Sequence, residues 1–200
     1  MSDTAAAPRQ VAGKIGVTAL VLYLLAIAIR IDGCYAPDGQ LRNERASGPA
    51  VGATFPSFEM RDVSGATISL ADLSGTPAIL AFVPSLDWSP PTKARLIDLA
   101  EAFRGRRDVR VAIVTTADQA TARARAFVRD RSTPFYYLID DVGLTQRLGL
   151  ATEGPHGGAA AVSATFVLDA AGTVRFRDVR EPSDQWLDPR AILDAVARVG

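Results

Sequence analysis

The chain reads as an α/β protein: a central mixed β-sheet flanked by helices, set behind an N-terminal transmembrane helix. Three observations carry that reading. An all-apolar run at 78–83 leads into a helix opened by Pro90 and Pro91 and then into the β-branched run 109–114, which is a βαβ crossover. Before it, an apolar alternation around the Ser64-Gly65 turn reads as a hairpin, so antiparallel strands join the parallel pair. At the start of the chain, residues 15–29 carry no charge and are bounded by Lys14 and Arg30.

Residues 1–10 form a small, polar tail. Residues 11–31, with Lys14 and Arg30 reaching toward the headgroups, supply the ~20 residues that a spanning helix needs and read as an uncleaved signal anchor. A removable signal peptide is the alternative, because Ala26-Ile27-Ala28 has the small-x-small form of a cleavage site. Basic residues are nearly balanced, Arg9 and Lys14 before the segment against Arg30, Arg42 and Arg45 after it, so charge alone barely orients it. Residues 32–50, rich in Gly, Pro, Asn, Asp and Arg, read as a linker, and 51–200 as one domain.

Composition narrows the function classes. With 22 basic and 22 acidic side chains the formal charge is zero, and the basic run at 104–110 has no interleaved aromatics, so nucleic acid is not an expected partner. The single cysteine, Cys34, rules out an internal disulfide framework. It lies in the linker, where a lipidated cysteine, a plain juxtamembrane residue and an intermolecular disulfide are the readings; outside the cytoplasm a reducible dimer through Cys34 is expected.

Within the domain, Leu96, Leu99, Ala100 and Phe103 recur at helical spacing behind Pro91. Residues 118–131, with alanines, Phe127, Val128 and four arginines, read as an amphipathic surface helix. A strand at 134–140, a helical stretch at 142–150 and a closing helix at 187–199 complete the pattern.

The stretch Trp88-Ser89-Pro90-Pro91-Thr92 resembles the Trp-Cys-Pro-Pro-Cys site of thioredoxin-like, membrane-anchored thiol-disulfide oxidoreductases, with Ser89 and Thr92 where the two cysteines would be. It also resembles the loop of AhpC/TSA peroxiredoxins, in which the peroxidatic cysteine follows the first proline by seven residues; counted from Pro84 that position is Pro91. The resemblance continues in order. Gly52 to Phe58 matches a Gly-x-x-x-Pro-x-Phe entry, and Leu73-Ser74-Gly75-Thr76-Pro77 matches a Leu-x-Gly-Lys-Pro turn with Thr76 for lysine. Pro134-Phe135 through Asp140, Thr145 to Leu150, and the two-strand hairpin from Ala164 to Arg177 follow. The chain is identified as resembling the redoxin, or AhpC/TSA, branch of the thioredoxin-like fold.

That resemblance implies oxidoreductase or antioxidant chemistry, for which a thiolate is the nucleophile. No sulfur stands at the reactive position under either alignment. Where thioredoxins place a cis-proline and peroxiredoxins an arginine, this chain has Ser163. Serine is also a favoured N-cap and proline a favoured first helical residue, so Ser89-Pro90-Pro91 has a sufficient structural role as it stands. His156, the one histidine, falls in the glycine-rich stretch 153–158, where Sco-type copper chaperones, which resemble this architecture, use a histidine with two cysteines; those cysteines are absent, which leaves His156 a weak metal candidate with Asp87 or Glu153, and a solvated loop histidine is the favoured reading. A Ser89, His156 and Asp87 triad lacks a nucleophile elbow. The expectation is a redox-inactive, membrane-tethered binding or assembly module without cofactor or metal, its domain on the periplasmic side and its former active-site face turned to an envelope protein. The alternative is thiol peroxidase or oxidoreductase activity through Cys34 or a partner's thiol; about 23 Å of flexible linker brings Cys34 within reach of that face.

Overall fold

The computed structural model describes residues 47–86, 89–129, 135–154, 157–180 and 188–199. The expected transmembrane segment 11–31 and Cys34, Asp87, Trp88 and His156 lie outside the described residues. No helix among the described residues is long and apolar enough to cross a membrane.

Strand β3 (Ala78–Phe82) is buried at every position and sits inside a seven-stranded sheet of order β2-β1-β5-β4-β3-β8-β9. It pairs in parallel with β4 (Arg110–Thr116) on one side and antiparallel with β8 (Ser163–Leu168) on the other. Strand β5 (Tyr136–Asp140) extends the parallel set, and β1 (Glu59–Asp62) with β2 (Thr67–Ser69) continues it antiparallel. On the far side β9 (Val174–Arg180) pairs with β8. A sheet covered on both faces needs apolar runs rather than alternation, and β3, β4 and β8 satisfy this.

One face carries helices α1 (Pro90–Ala102), α2 (Ala122–Arg129) and α4 (Pro189–Ala197), whose Leu96, Leu99, Val128 and Ile192 pack on Ile79, Ala81, Ile113 and Val167. The other is covered by the entry segment through Phe55 and Phe58 and by helix α3 (Leu144–Arg147), set against Leu80, Phe82, Val114 and Phe166. Four residues of the stretch read as linker, 47–50, are described with the fold. Gly48 donates its N–H to Leu148 O at 2.8 Å, and Ser47 O accepts from Arg177 at 2.7 Å.

The first hairpin turns at Ser64-Gly65, as the sequence predicts. Asp62 Oδ1 accepts from Ser64 N at 2.5 Å, and Gly65 takes φ 95°, a value that favours glycine. Three elements depart from the sequence reading. The helix expected over 118–131 begins as a 3-10 turn (Ala117–Gln119) and becomes α-helical only from Ala122, because Thr121 caps it, accepting from Ala124 N at 3.1 Å. The stretch 142–150 holds a single turn, α3: Asp140 accepts from Leu144 N and Thr145 N at 2.9 and 2.6 Å to start it, and Gly149 at φ 68° ends it. The glycine-rich stretch 153–158 joins a separate two-stranded sheet, β6 (Ala151–Glu153) with β7 (Ala159–Ala161), whose three-residue strands hold one β-favouring residue, Thr152.

The β8–β9 turn is built on Asp169, which accepts from Ala171 N and Thr173 N at 3.0 and 2.9 Å and from Arg175 Nε at 2.8 Å. The Thr173 N–H and then the Arg175 guanidinium hold its carboxyl below the usual carboxylate value, against the opposing effect of burial. A carboxyl lowered in the folded state contributes stability above its unfolded value of about 3.9, and that contribution is lost as pH falls through the lowered folded value. Acidification below about pH 4 should therefore lower the urea midpoint, with part of that slope missing in Asp169→Asn. An unchanged slope in the variant would remove Asp169 from the acid response.

Candidate functional site

The loop from β3 to α1 leaves the carboxyl edge of the sheet. Pro84, Ser85 and Leu86 are buried, and the described chain resumes at Ser89. Ser89 is the N-cap of α1, with φ −101° and ψ 91°, and Pro90 and Pro91 are the first two helical residues. The Ser89 and Thr92 hydroxyls share a hydrogen bond of 2.8 Å, and Thr92 N donates to Ser89 Oγ at 3.4 Å. Both residues are buried, at 3% and 2% exposure.

This geometry has an electrostatic consequence. A helix N-terminus attracts an anion through its unsatisfied N–H groups. Here the prolines remove the first two, the third points at Ser89 Oγ, and Lys93 N donates to Ser89 O at 3.1 Å to open the regular ladder. One hydroxyl donates to the other, and neither ionises near neutral pH.

Ser163, the first residue of β8, is 2% exposed. The β3–β8 register pairs Phe82 with Ala164, so Ser163 lies one step further, beside Val83 where the loop departs. The structure thus brings Ser163 and the start of the Ser89–Thr92 loop to one edge of the sheet. Opposite Ser163 on β9 stands Arg180, whose side chain is only 13% exposed and whose Nε meets Asp178 Oδ2 at 2.5 Å. The sequence reading does not single out this pair; the two-residue spacing of Asp178 and Arg180 within a strand is the available signal, since it puts both on one face.

Beside this edge, three side chains from the end of β4 and the turn after it pin the β6–β7 hairpin. Thr116 Oγ1 and Gln119 Nε2 donate to Ala159 O at 2.6 and 3.4 Å, and Asp118 Oδ2 accepts from Ala159 N at 2.7 Å. A Cβ at Gly154 would lie 2.8 Å from Gln119 Nε2 and 3.2 Å from Gly157 O, so a larger residue there would displace the Gln119 side chain from this contact. Among the described residues no three His, Cys, Asp or Glu side chains converge as a metal site.

The profile of the AhpC/TSA family matches residues 51–177. The chloroplastic peroxiredoxin Q of Triticum aestivum is 25% identical over 125 residues, a match covering 62% of this chain and 57% of that protein's length. Among solved structures, a peroxiredoxin-like protein from Aquifex aeolicus superposes with a TM-score of 0.66 at 18% identity, over 76% of this chain and 89% of its own. A protein described as thiol:disulfide interchange protein DsbE, from Chlorobium tepidum, does so with a TM-score of 0.57 at 20% identity, over 75% of this chain and 97% of its own. At such identities the likeness establishes the fold, which is thioredoxin-like, with the central mixed sheet and flanking helices that the sequence predicts.

Proposed function

The chain belongs to the AhpC/TSA family, and from that membership we propose that it is a membrane-tethered member that binds an envelope protein partner and carries out no thiol chemistry of its own. The observation that carries this reading is the buried hydroxyl pair. At the two positions where the resemblance places cysteines, Ser89 and Thr92 bond to each other at 2.8 Å, in a turn that has no free sulfur and few free N–H groups. Ser163 replaces the family's proline or arginine at the same edge, so two parts of the machinery are absent together. What remains there suits contact. Pro90, Pro91, Ala94 and Ile97 are exposed along one side of α1, Ile97 to 43%, and form a rigid apolar stripe.

The test uses full-length protein and Cys34→Ser in peroxide-consumption and disulfide-exchange assays. The expected result is background turnover for both. A rate that disappears with Cys34→Ser would establish instead a peroxidase that works through that thiol. In parallel, the full chain should resist carbonate extraction from membranes and run as a reducible dimer through Cys34, and Ile97→Glu should lose a partner that the unaltered chain co-purifies. Retention of that partner by Ile97→Glu would move the contact away from α1.

A further inference from the structure

A cleft of about 440 Å³ opens between the β1–β2 hairpin, β4, β5 and α2, with Ala117 and Asp141 standing just past the carboxyl ends of β4 and β5. Open α/β sheets take ligands in crevices outside the carboxyl ends of their strands, and this volume lies in the range of small-molecule sites, roughly 300–1,000 Å³. Its position owes nothing to the positions of the missing thiols.

Two arginines line the cleft, and each is held so as to leave donors over. Arg61 gives Nε and Nη2 to Asp141 Oδ2 at 3.3 and 3.1 Å, which leaves Nη1. Arg125 gives Nε to Ala120 O at 3.1 Å and makes no other side-chain hydrogen bond among the described residues, which leaves both terminal nitrogens. Asp62 also lines the cleft, but its two oxygens are turned to backbone, accepting from Ser64 N at 2.5 Å and Tyr137 N at 3.3 Å. Between these groups Val63, Ala117 and Ile139 supply an apolar floor.

The free terminal fork of Arg125 and the remaining Nη1 of Arg61, beside an apolar floor, match an anionic head on a short apolar body. Asp62 and Asp141 already balance the two arginines in overall charge, so a polyanion is disfavoured and a single carboxylate fits. We propose that this cleft binds a small monocarboxylate, its oxygens taken by the free ends of Arg61 and Arg125 and its alkyl part lying on Val63, Ala117 and Ile139. The proposal goes beyond the partner-binding reading and is independent of it.

The test is titration calorimetry on the full chain in detergent micelles, with butanoate as the probe and acetate, butanol and inorganic phosphate as comparisons. Saturable butanoate binding is expected, with Kd on the order of millimolar. Acetate should bind more weakly and butanol not at all. Arg61→Gln and Arg125→Gln should each weaken butanoate about tenfold with the circular dichroism spectrum unchanged, and Arg125→Lys, which keeps the charge and loses the fork, should fall between. Butanoate binding that fails to saturate or survives both substitutions overturns the site. Phosphate binding more tightly than butanoate overturns the monocarboxylate assignment.

Discussion

Ser89→Cys combined with Thr92→Cys should close a disulfide under mild oxidation, seen by mass spectrometry as the loss of two hydrogen atoms. The two hydroxyl oxygens already meet at 2.8 Å across the first turn of α1, so sulfurs at the same positions need only a small side-chain adjustment to reach the ~2.05 Å bond. The helix N-terminus should lower the pKa of the first thiol, although Pro90 and Pro91 withhold two of the N–H donors that would otherwise stabilise its thiolate. Exchange activity toward a protein disulfide is expected to stay low in the double variant, because Ser163 presents no rigid proline to a substrate strand. Adding Ser163→Pro should raise it. Residue 163 opens β8, where proline is tolerated better than inside a central strand. If the paired cysteines stay reduced under conditions that oxidise a free dithiol, the side-chain geometry of this turn is not as described.

The largest loss of stability is expected from Phe166→Ala. Phe166 is fully buried, packs edge-on against Phe55 with centroids 5.4 Å apart and against Phe82 at 6.0 Å, and anchors the face opposite α1. Truncating a buried phenylalanine costs about 3–5 kcal/mol, a large share of the roughly 5–15 kcal/mol that holds a domain together. The entry segment depends on the same ring: a Cβ at Gly48 would lie 2.7 Å from Phe166 Cζ, and Gly48 has φ 82°. Gly48→Ala should cost less, about 1–2 kcal/mol. Thermal unfolding followed by circular dichroism should therefore rank the two variants in that order, and a Phe166→Ala midpoint within experimental error of the unaltered chain would contradict the packing.

The parts of this fold most legible in the sequence are those whose burial leaves a compositional mark. The run 78–83 is apolar because β3 is enclosed on both faces and both edges, and Ser89-Pro90-Pro91 announces a helix start because cap and first-turn chemistry is local. Where a segment's state is decided by contacts distant in sequence, the reading falls short. The β6–β7 hairpin is held at Ala159 by Thr116, Asp118 and Gln119, a latch with no local signature, and the sequence reading assigns no strand to Ala159–Ala161. Alanine and arginine over 118–131 give a helical pattern, but Asp118 is as good a cap residue as Thr121, so the local sequence does not decide between the two starts. At the candidate site, Ser89, Thr92 and Ser163 could be named from the resemblance, whereas Arg180 emerged only from the β8–β9 register. The monocarboxylate cleft draws Arg61, Arg125 and Ile139 from three separate elements, and no spacing along the chain brings such residues together.

The pairing of β3 also bears on how the chain acquires its structure. One edge of this strand is closed early, by β4 just across the helix that follows it, whereas the other waits for β8, most of the domain later. Such long-range pairing makes folding slow, since the entropy of closing the intervening chain must be overcome before the contacts form. Until β8 arrives, the most apolar strand of the molecule presents an unpaired edge, the feature by which strands recruit other chains. A chain made or translocated from its N-terminus must hold β3 in that condition until nearly all of it has emerged. The interval in which a holding chaperone matters most is therefore set by the distance between these two strands, and shortening the chain before residue 163 would make that interval permanent.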